Sequence, residues 1–63
     1  MEKYEKALAT LPLEQQEVII MSIEMGFTHQ QIAEAIGSPS ASAARMFVAR
    51  ALVRLAEGMN ETG

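Results

Sequence analysis

The sequence predicts an all-α fold, a small four-helix domain that contains a helix-turn-helix and no wing. Apolar residues recur at helical spacing, and no segment alternates apolar and polar residues as a half-buried strand would. Glycine and proline stand where helices end and begin, and the 49% hydrophobic content is enough for a core. In a chain of 63 residues we expect a single domain, with its core over residues 7–57 and a frayed tail over residues 58–63.

The first two helices are separated by a proline. The first is predicted from about Glu2 to Thr10, with Tyr4, Leu8 and Leu11 on one side. Pro12 breaks it and lies near the start of the second helix, where proline is tolerated. The second helix is predicted from about Leu13 to Met25, and Gly26 is expected to close it with a left-handed cap.

The third and fourth helices form the predicted helix-turn-helix. Thr28 is the expected N-cap of the third helix, Gln31 completes a capping box, and Gly37 ends it. Its inward residues are Ile32, Ala33 and Ile36. The fourth helix is predicted from about Ser40 to Glu57, and three residues fit its N-cap, namely Ser38, Ser40 and Ser42. Two helices around a short glycine-containing turn indicate DNA binding, and a plain helical hairpin is the alternative.

The charges are distributed unevenly along the chain. The formal net charge is -3, but residues 1–37 carry -4 and residues 38–63 carry +1. No acidic residue lies between Glu34 and Glu57, and that segment contains Arg45, Arg50 and Arg54. This asymmetry favours a polyanion-facing element in the second half. Because three arginines make a thin patch, we expect weak DNA binding that depends strongly on salt.

The residue inventory excludes several function classes. There is no cysteine and only one histidine, so we expect no metal site and no cofactor. No motif supports an enzyme, and a chain this short has little room for a pocket that would hold a small-molecule substrate. No apolar run approaches the ~18 residues of a membrane span, and the first residues show no signal-peptide pattern. We therefore expect a cytoplasmic protein with no membrane partner.

Several short segments together resemble region 4 of bacterial RNA polymerase sigma factors, most closely those of the extracytoplasmic-function class. The segments are Leu11-Pro12, Gln16-Glu17-Val18, Gly26-Phe27-Thr28, Gln31 to Gly37, and Arg50-Ala51-Leu52 with Leu55. The resemblance covers about residues 7–57. It implies a module that recognises the upstream, minus-thirty-five type promoter element in double-stranded DNA and contacts the flap of the polymerase β subunit. It also implies that an anti-sigma factor can cover these surfaces.

The chain departs from the family pattern in three places. The turn before the Arg50-Ala51-Leu52 ending is one residue longer than is usual. The family's recognition helix usually begins with threonine-valine-lysine, where this chain has Ser42 or Ala43, then Ala44 and Arg45. The family's second helix often carries arginine, where this chain has Gln15 and Gln16. These differences affect the promoter sequence that is read and the strength of the contact.

The periodicity of the fourth helix separates a core face from a candidate DNA face. At about 100° per residue, one side carries Ala44, Val48, Ala51 and Leu55, flanked by Leu52 and Phe47. The opposite side carries Arg45, Met46, Ala49, Arg50 and Val53. Recognition helices contact base edges with their N-terminal residues, so the candidate groove residues are Ser42, Arg45, Met46 and Ala49.

The basic and polar residues each have an alternative interpretation. Arg45 is a candidate for a bidentate contact with guanine, or else for a phosphate contact or a solvated surface position. Arg50 and Arg54 are candidates for phosphate contacts, or else for ion pairs with Glu57 or with glutamates of the first helix. His29 and Gln30 begin the third helix, where a phosphate could bind, or they are simply an exposed first turn.

The second helix is apolar around most of its circumference. Its apolar residues are Val18, Ile19, Ile20, Met21, Ile23 and Met25. A helix of this kind is either fully buried or keeps one face for a partner. We predict a protein-partner surface formed by Ile19, Ile20, Ile23 and Phe27, with complete cover by the first helix as the alternative.

Two other functions remain open from the sequence. The effector domain of a response regulator shares the four-helix plan and also binds DNA. A pure interaction module, which mimics a sigma factor and captures an anti-sigma factor, fits the net charge of -3. The sequence is compatible with an excised domain or with a stand-alone protein.

Overall fold

A computed structural model describes residues 2–62 of the chain, with side chains described for residues 3–60. Within that range the helices are α1 (Glu2–Ala9), α2 (Leu13–Ile19), a π-helical segment (Ile20–Glu24), α3 (His29–Ile36) and α4 (Ala41–Thr62). The described residues contain no strand. The predicted all-α fold with a helix-turn-helix is confirmed.

A tight turn joins α1 to α2. The N–H groups of Thr10 and Leu11 donate to the carbonyls of Ala7 and Leu8, each at 3.1 Å, and α1 ends at Ala9. Gln16 reaches back from α2, and its Nε2 donates to the Leu11 carbonyl at 2.8 Å. The turn is therefore fixed by α2 as well as by its own backbone.

The second helical stretch has the predicted extent but not a uniform geometry. It runs from Leu13 to Glu24, and its last five residues are π-helical. The N–H of Met25 donates to the Ile20 carbonyl, five residues back, at 3.0 Å. Gly26 then follows with φ 71°, the left-handed conformation expected at this end. Because a π turn holds an extra residue, the side chains after Ile19 face other directions than in a continuous α-helix.

Hydrogen bonds between side chains and nearby backbone groups set where the two helices of the helix-turn-helix begin. The Thr28 hydroxyl accepts from the N–H of Gln31 at 3.1 Å, and Gln31 Oε1 accepts from the N–H of Thr28 at 2.8 Å. The predicted capping box is thus confirmed. Gly37 ends α3 with φ 74° and ψ 26°. Ser40 is the N-cap of α4, because its Oγ accepts from the N–H of Ala43 at 3.1 Å.

The last helix is longer than predicted. We expected α4 to end near Glu57 and residues 58–63 to fray, but α4 continues to Thr62, and Gly63 lies outside the described residues. A Cβ added at Gly58 would lie 3.2 Å from the Ala7 Cβ, so α1 packs directly on this part of α4. Met59 also packs against the core. These contacts stabilise the end of α4. The polar sequence of residues 58–63 does not indicate them.

The core is aliphatic and draws on every α-helix and the α1–α2 turn. Its buried residues are Ala7, Leu11, Val18, Ile19, Ile32, Ala33, Ala44, Val48, Ala51 and Leu55. The predicted core stripe of α4 is confirmed, since all four of its residues are at most 5% exposed. Ile36 is half-buried beside this core. The orientation of α4 is therefore fixed by one complete apolar face.

Candidate nucleic-acid interface

The solvent side of α4 carries the residues predicted to contact DNA. Met46 is 55% exposed, and Ser42, Arg45 and Ala49 are exposed around it. At about 100° per residue these positions lie opposite the buried stripe of α4. The first turns of α4 therefore present one cation, one hydroxyl and two apolar side chains on a single surface.

The start of α3 lies on the surface as well. His29 and Gln30 are exposed, and Gln30 Nε2 lies 3.4 Å from Glu34 Oε2. The first N–H groups of a helix have no acceptor within the helix. In α3, the Thr28 hydroxyl accepts a hydrogen bond from one of them, the N–H of Gln31. The positive end of the helix dipole is at this terminus. Among the described residues, no group of three histidine or acidic side chains is placed to hold a metal.

The other two arginines are also exposed. Arg50 and Arg54 lie one turn apart on α4. Within residues 3–60 no carboxylate forms an ion pair with either of them or with Arg45, so the alternative pairing with Glu57 is not formed. Within that range, both guanidinium groups are exposed and have no carboxylate partner.

Both arginines line a groove of about 440 Å³ between α2 and α4, together with Gln15, Phe47 and Val53. Gln15 Oε1 is buried and accepts no hydrogen bond. Gln15 is not among the site residues predicted from the sequence. No sequence signal separates it from Gln16, since both are polar residues near the start of α2.

Phe47 also borders an acidic cavity. Glu14 and Glu17 line this space of about 450 Å³ together with Ala35, Ile36 and Phe47. Phe47 borders both this cavity and the groove that Arg50 and Arg54 line. Two carboxylates and two arginines therefore line spaces that share one aromatic side chain.

The predicted partner surface on the second helical stretch needs one correction. Ile19 is 0% exposed and belongs to the core, so its inclusion was wrong. An apolar pattern around a whole helix does not show which side faces the other helices. Ile23 is 53% exposed, and Ile20 and Phe27 are half-buried, so these three residues remain at the surface. Complete cover by α1 is excluded, because Met25 beside them is 58% exposed.

Ile23 also lines an apolar groove. Its volume is about 560 Å³, and it is lined by Tyr4, Glu5, Ile23, Glu24, Leu55 and Met59. The Tyr4 hydroxyl donates to Glu24 Oε2 at 2.9 Å, which connects α1 to the π-helical segment. Partial burial raises the pKa of Tyr4, and the hydrogen bond to the Glu24 carboxylate raises it further.

The chain is similar to a known protein family over most of its length. It matches the family model described as Sigma-70, region 4, over residues 1–55, which include α1 to α3 and α4 as far as Leu55. No match was found among curated proteins or among solved structures. In the part of the chain that the structure describes, no helix is both long and apolar enough to span a membrane.

The family match agrees with the geometry of the helix-turn-helix and its exposed face. It supports a sigma factor domain over the effector domain of a response regulator. Sigma region 4 is a DNA-binding regulatory domain and not an enzyme family. The chain belongs to the sigma-70 region 4 family and is a DNA-binding module of transcription.

Proposed function

We propose that the chain recognises an upstream, minus-thirty-five type promoter element by placing the first half of α4 in the major groove. One observation carries this proposal. Ser42, Arg45, Met46 and Ala49 are exposed on one surface immediately after the turn of the helix-turn-helix. Recognition helices of this motif contact base edges with the same N-terminal part.

Each side chain on this surface suits a different contact. The forked guanidinium of Arg45 matches the O6 and N7 acceptors of guanine. The Ser42 hydroxyl can donate or accept at a base edge, and Met46 and Ala49 can pack against thymine methyl groups. These four residues would therefore carry the sequence preference.

Phosphate contacts would hold the module on the duplex. Arg50 and Arg54 are placed further along α4, where they can bind the backbone without reading bases. His29 and Gln30 offer a helix N-terminus to a second phosphate. Such contacts make binding fall steeply with salt concentration.

The test compares Arg45→Ala with Lys6→Ala, which removes an exposed charge of the same sign from α1. Binding to selected and mixed-sequence duplexes is measured by fluorescence anisotropy. We expect Arg45→Ala to lose about 1–3 kcal/mol on the selected duplex and to relax the preference at one base pair. Equal losses for both variants on both duplexes would show that Arg45 contributes only net charge.

We also propose that the surface formed by Ile20, Ile23 and Phe27 contacts the flap of the RNA polymerase β subunit, in the cytoplasm where the polymerase acts. Its support is the 53% exposure of Ile23 on a small domain. An anti-sigma factor would compete for the same surface. In a pull-down with a flap fragment, Ile23→Ser should lose binding. Met46→Ser, at a position that is 55% exposed, should retain it and lose DNA binding instead.

A second candidate function is a pure interaction module that never binds DNA. The net charge of -3 and the carboxylates of Glu14 and Glu17 beside α4 favour it. The double variant Arg45→Ala, Arg50→Ala separates the two functions. A DNA module loses duplex affinity while its fold stays intact, whereas a mimic keeps its partner binding and shows no duplex affinity to lose.

A further inference from the structure

The side-chain carbonyl of Gln15 is an unpaired acceptor. Oε1 is buried and has no hydrogen-bond donor, although Gln15 borders the groove between α2 and α4. A buried acceptor without a donor is unfavourable, and most buried polar atoms in folded proteins have a partner. A donor that lines the same groove would therefore be stabilised by approaching Gln15.

The groove offers few donors. Phe47 and Val53 have apolar side chains, so the guanidinium groups of Arg50 and Arg54 are the other side-chain donors in its lining. Neither arginine is engaged by a carboxylate in the described part of the chain. Arg50 follows Ala49 directly and is the nearer of the two to the proposed base-reading surface.

We propose that Gln15 is a positioning residue for DNA binding, and that its Oε1 accepts a hydrogen bond from Arg50 and holds that guanidinium toward the DNA backbone. A guanidinium has five N–H donors, so a bond to Gln15 leaves others for a phosphate. A side chain that is already ordered loses less conformational entropy when it binds. This inference rests on the proposed DNA-binding function.

The first experiment needs no DNA. The side-chain N–H signals of Arg50 and Arg54 are recorded by NMR in the 63-residue chain and in Gln15→Met, which keeps the length of the side chain and removes the acceptor. We expect the Arg50 signals to shift and to exchange faster with water, while those of Arg54 stay unchanged. Identical Arg50 signals in both proteins would overturn the proposal.

The second experiment is a double-mutant cycle on a mixed-sequence duplex of about two helical turns, or ~20 base pairs. Gln15→Met should weaken binding about fivefold, as expected for one hydrogen bond that orders a charged group. It should also make the slope of log K against log salt shallower by up to about one. In an Arg50→Ala background, Gln15→Met should have no effect. A loss that persists in that background would overturn the proposal.

The outcomes separate this inference from the proposed function. If Arg50→Ala binds the duplex as well as the wild type, the phosphate role of Arg50 is refuted. If Arg50→Ala weakens binding and Gln15→Met does not, only the positioning role is refuted.

Gln16→Met is the matched control for a purely structural effect. It removes the 2.8 Å bond to the Leu11 carbonyl, so it should lower the Tm without changing the Arg50 signals or the salt slope. Gln15→Met should change the Arg50 signals and the salt slope, with or without a change in Tm. Gln15→Ala also removes the acceptor, and its short side chain does not fill the groove. It is the second variant in case methionine disturbs the packing, and the same NMR and binding results are expected for it.

Discussion

Replacing Gly37 with alanine tests the turn that sets α4 relative to α3. Gly37 has φ 74° and ψ 26°, and this left-handed conformation costs a residue with a Cβ about 1–2 kcal/mol. An added Cβ meets nothing within 4 Å, so no steric term is added. Alanine also restricts the unfolded chain, which returns about 0.4–1 kcal/mol. We therefore expect a net loss of about 1 kcal/mol, out of a total of roughly 3–9 kcal/mol for a domain of this size.

The assay is urea unfolding followed by circular dichroism, with the midpoint and the m-value fitted together. Gly37→Ala should lower the midpoint without changing m. Gly37→Asn should lose less, because asparagine adopts the left-handed region more readily. Gly26→Ala is the matched control outside the helix-turn-helix, since Gly26 has φ 71° and equally open surroundings, and its loss should be similar. An unchanged or higher midpoint for Gly37→Ala would refute the left-handed turn.

Three further results are expected. Thr28→Ala should lower stability by about 1 kcal/mol in the same unfolding assay, because it removes the side-chain cap of α3. Burial and the hydrogen bond to Glu24 raise the pKa of Tyr4 above 10.0, so the folded chain holds the phenol proton more tightly than the unfolded chain. Stability should therefore be constant with respect to this group below pH 10 and fall above it, and Tyr4→Phe should remove that fall in melts across this range. Replacing Glu14 and Glu17 with glutamine should raise duplex affinity about threefold at low salt, less at high salt, and an unchanged anisotropy titration would contradict this.

The parts of the fold that sequence predicted well are those set by local chemistry. The Thr28 cap depends on a residue three positions away, and the Gly37 terminus depends on one backbone conformation. The end of α4 was predicted wrongly because the contact between Gly58 and Ala7 joins distant parts of the chain. The π-helical segment was not predicted either, since the same apolar residues fit an ordinary α-helix.

The residues of the candidate site also divide into those that the sequence predicts and those that it does not. Arg45 and Met46 were expected at the surface because α4 has a single apolar stripe, which fixes its rotation. Ile19 was wrongly predicted to lie at the surface. The second helix is apolar on all sides, so its sequence does not indicate which side faces the core. The bond between Tyr4 and Glu24 joins residues 20 positions apart, and no periodicity indicates a contact over that separation.

The close approach of Gly58 to Ala7 also bears on where this domain stops. The family match ends at residue 55, yet Gly58 lies against α1 and Met59 packs on the core. A fragment cut after Leu55 would keep every proposed base-reading residue but would uncover Ala7, whose side chain is 1% exposed in the folded chain. Its first helix would then have lost part of the surface it packs on. The packing around α1 therefore continues past the end of the family match, by at least one turn of α4.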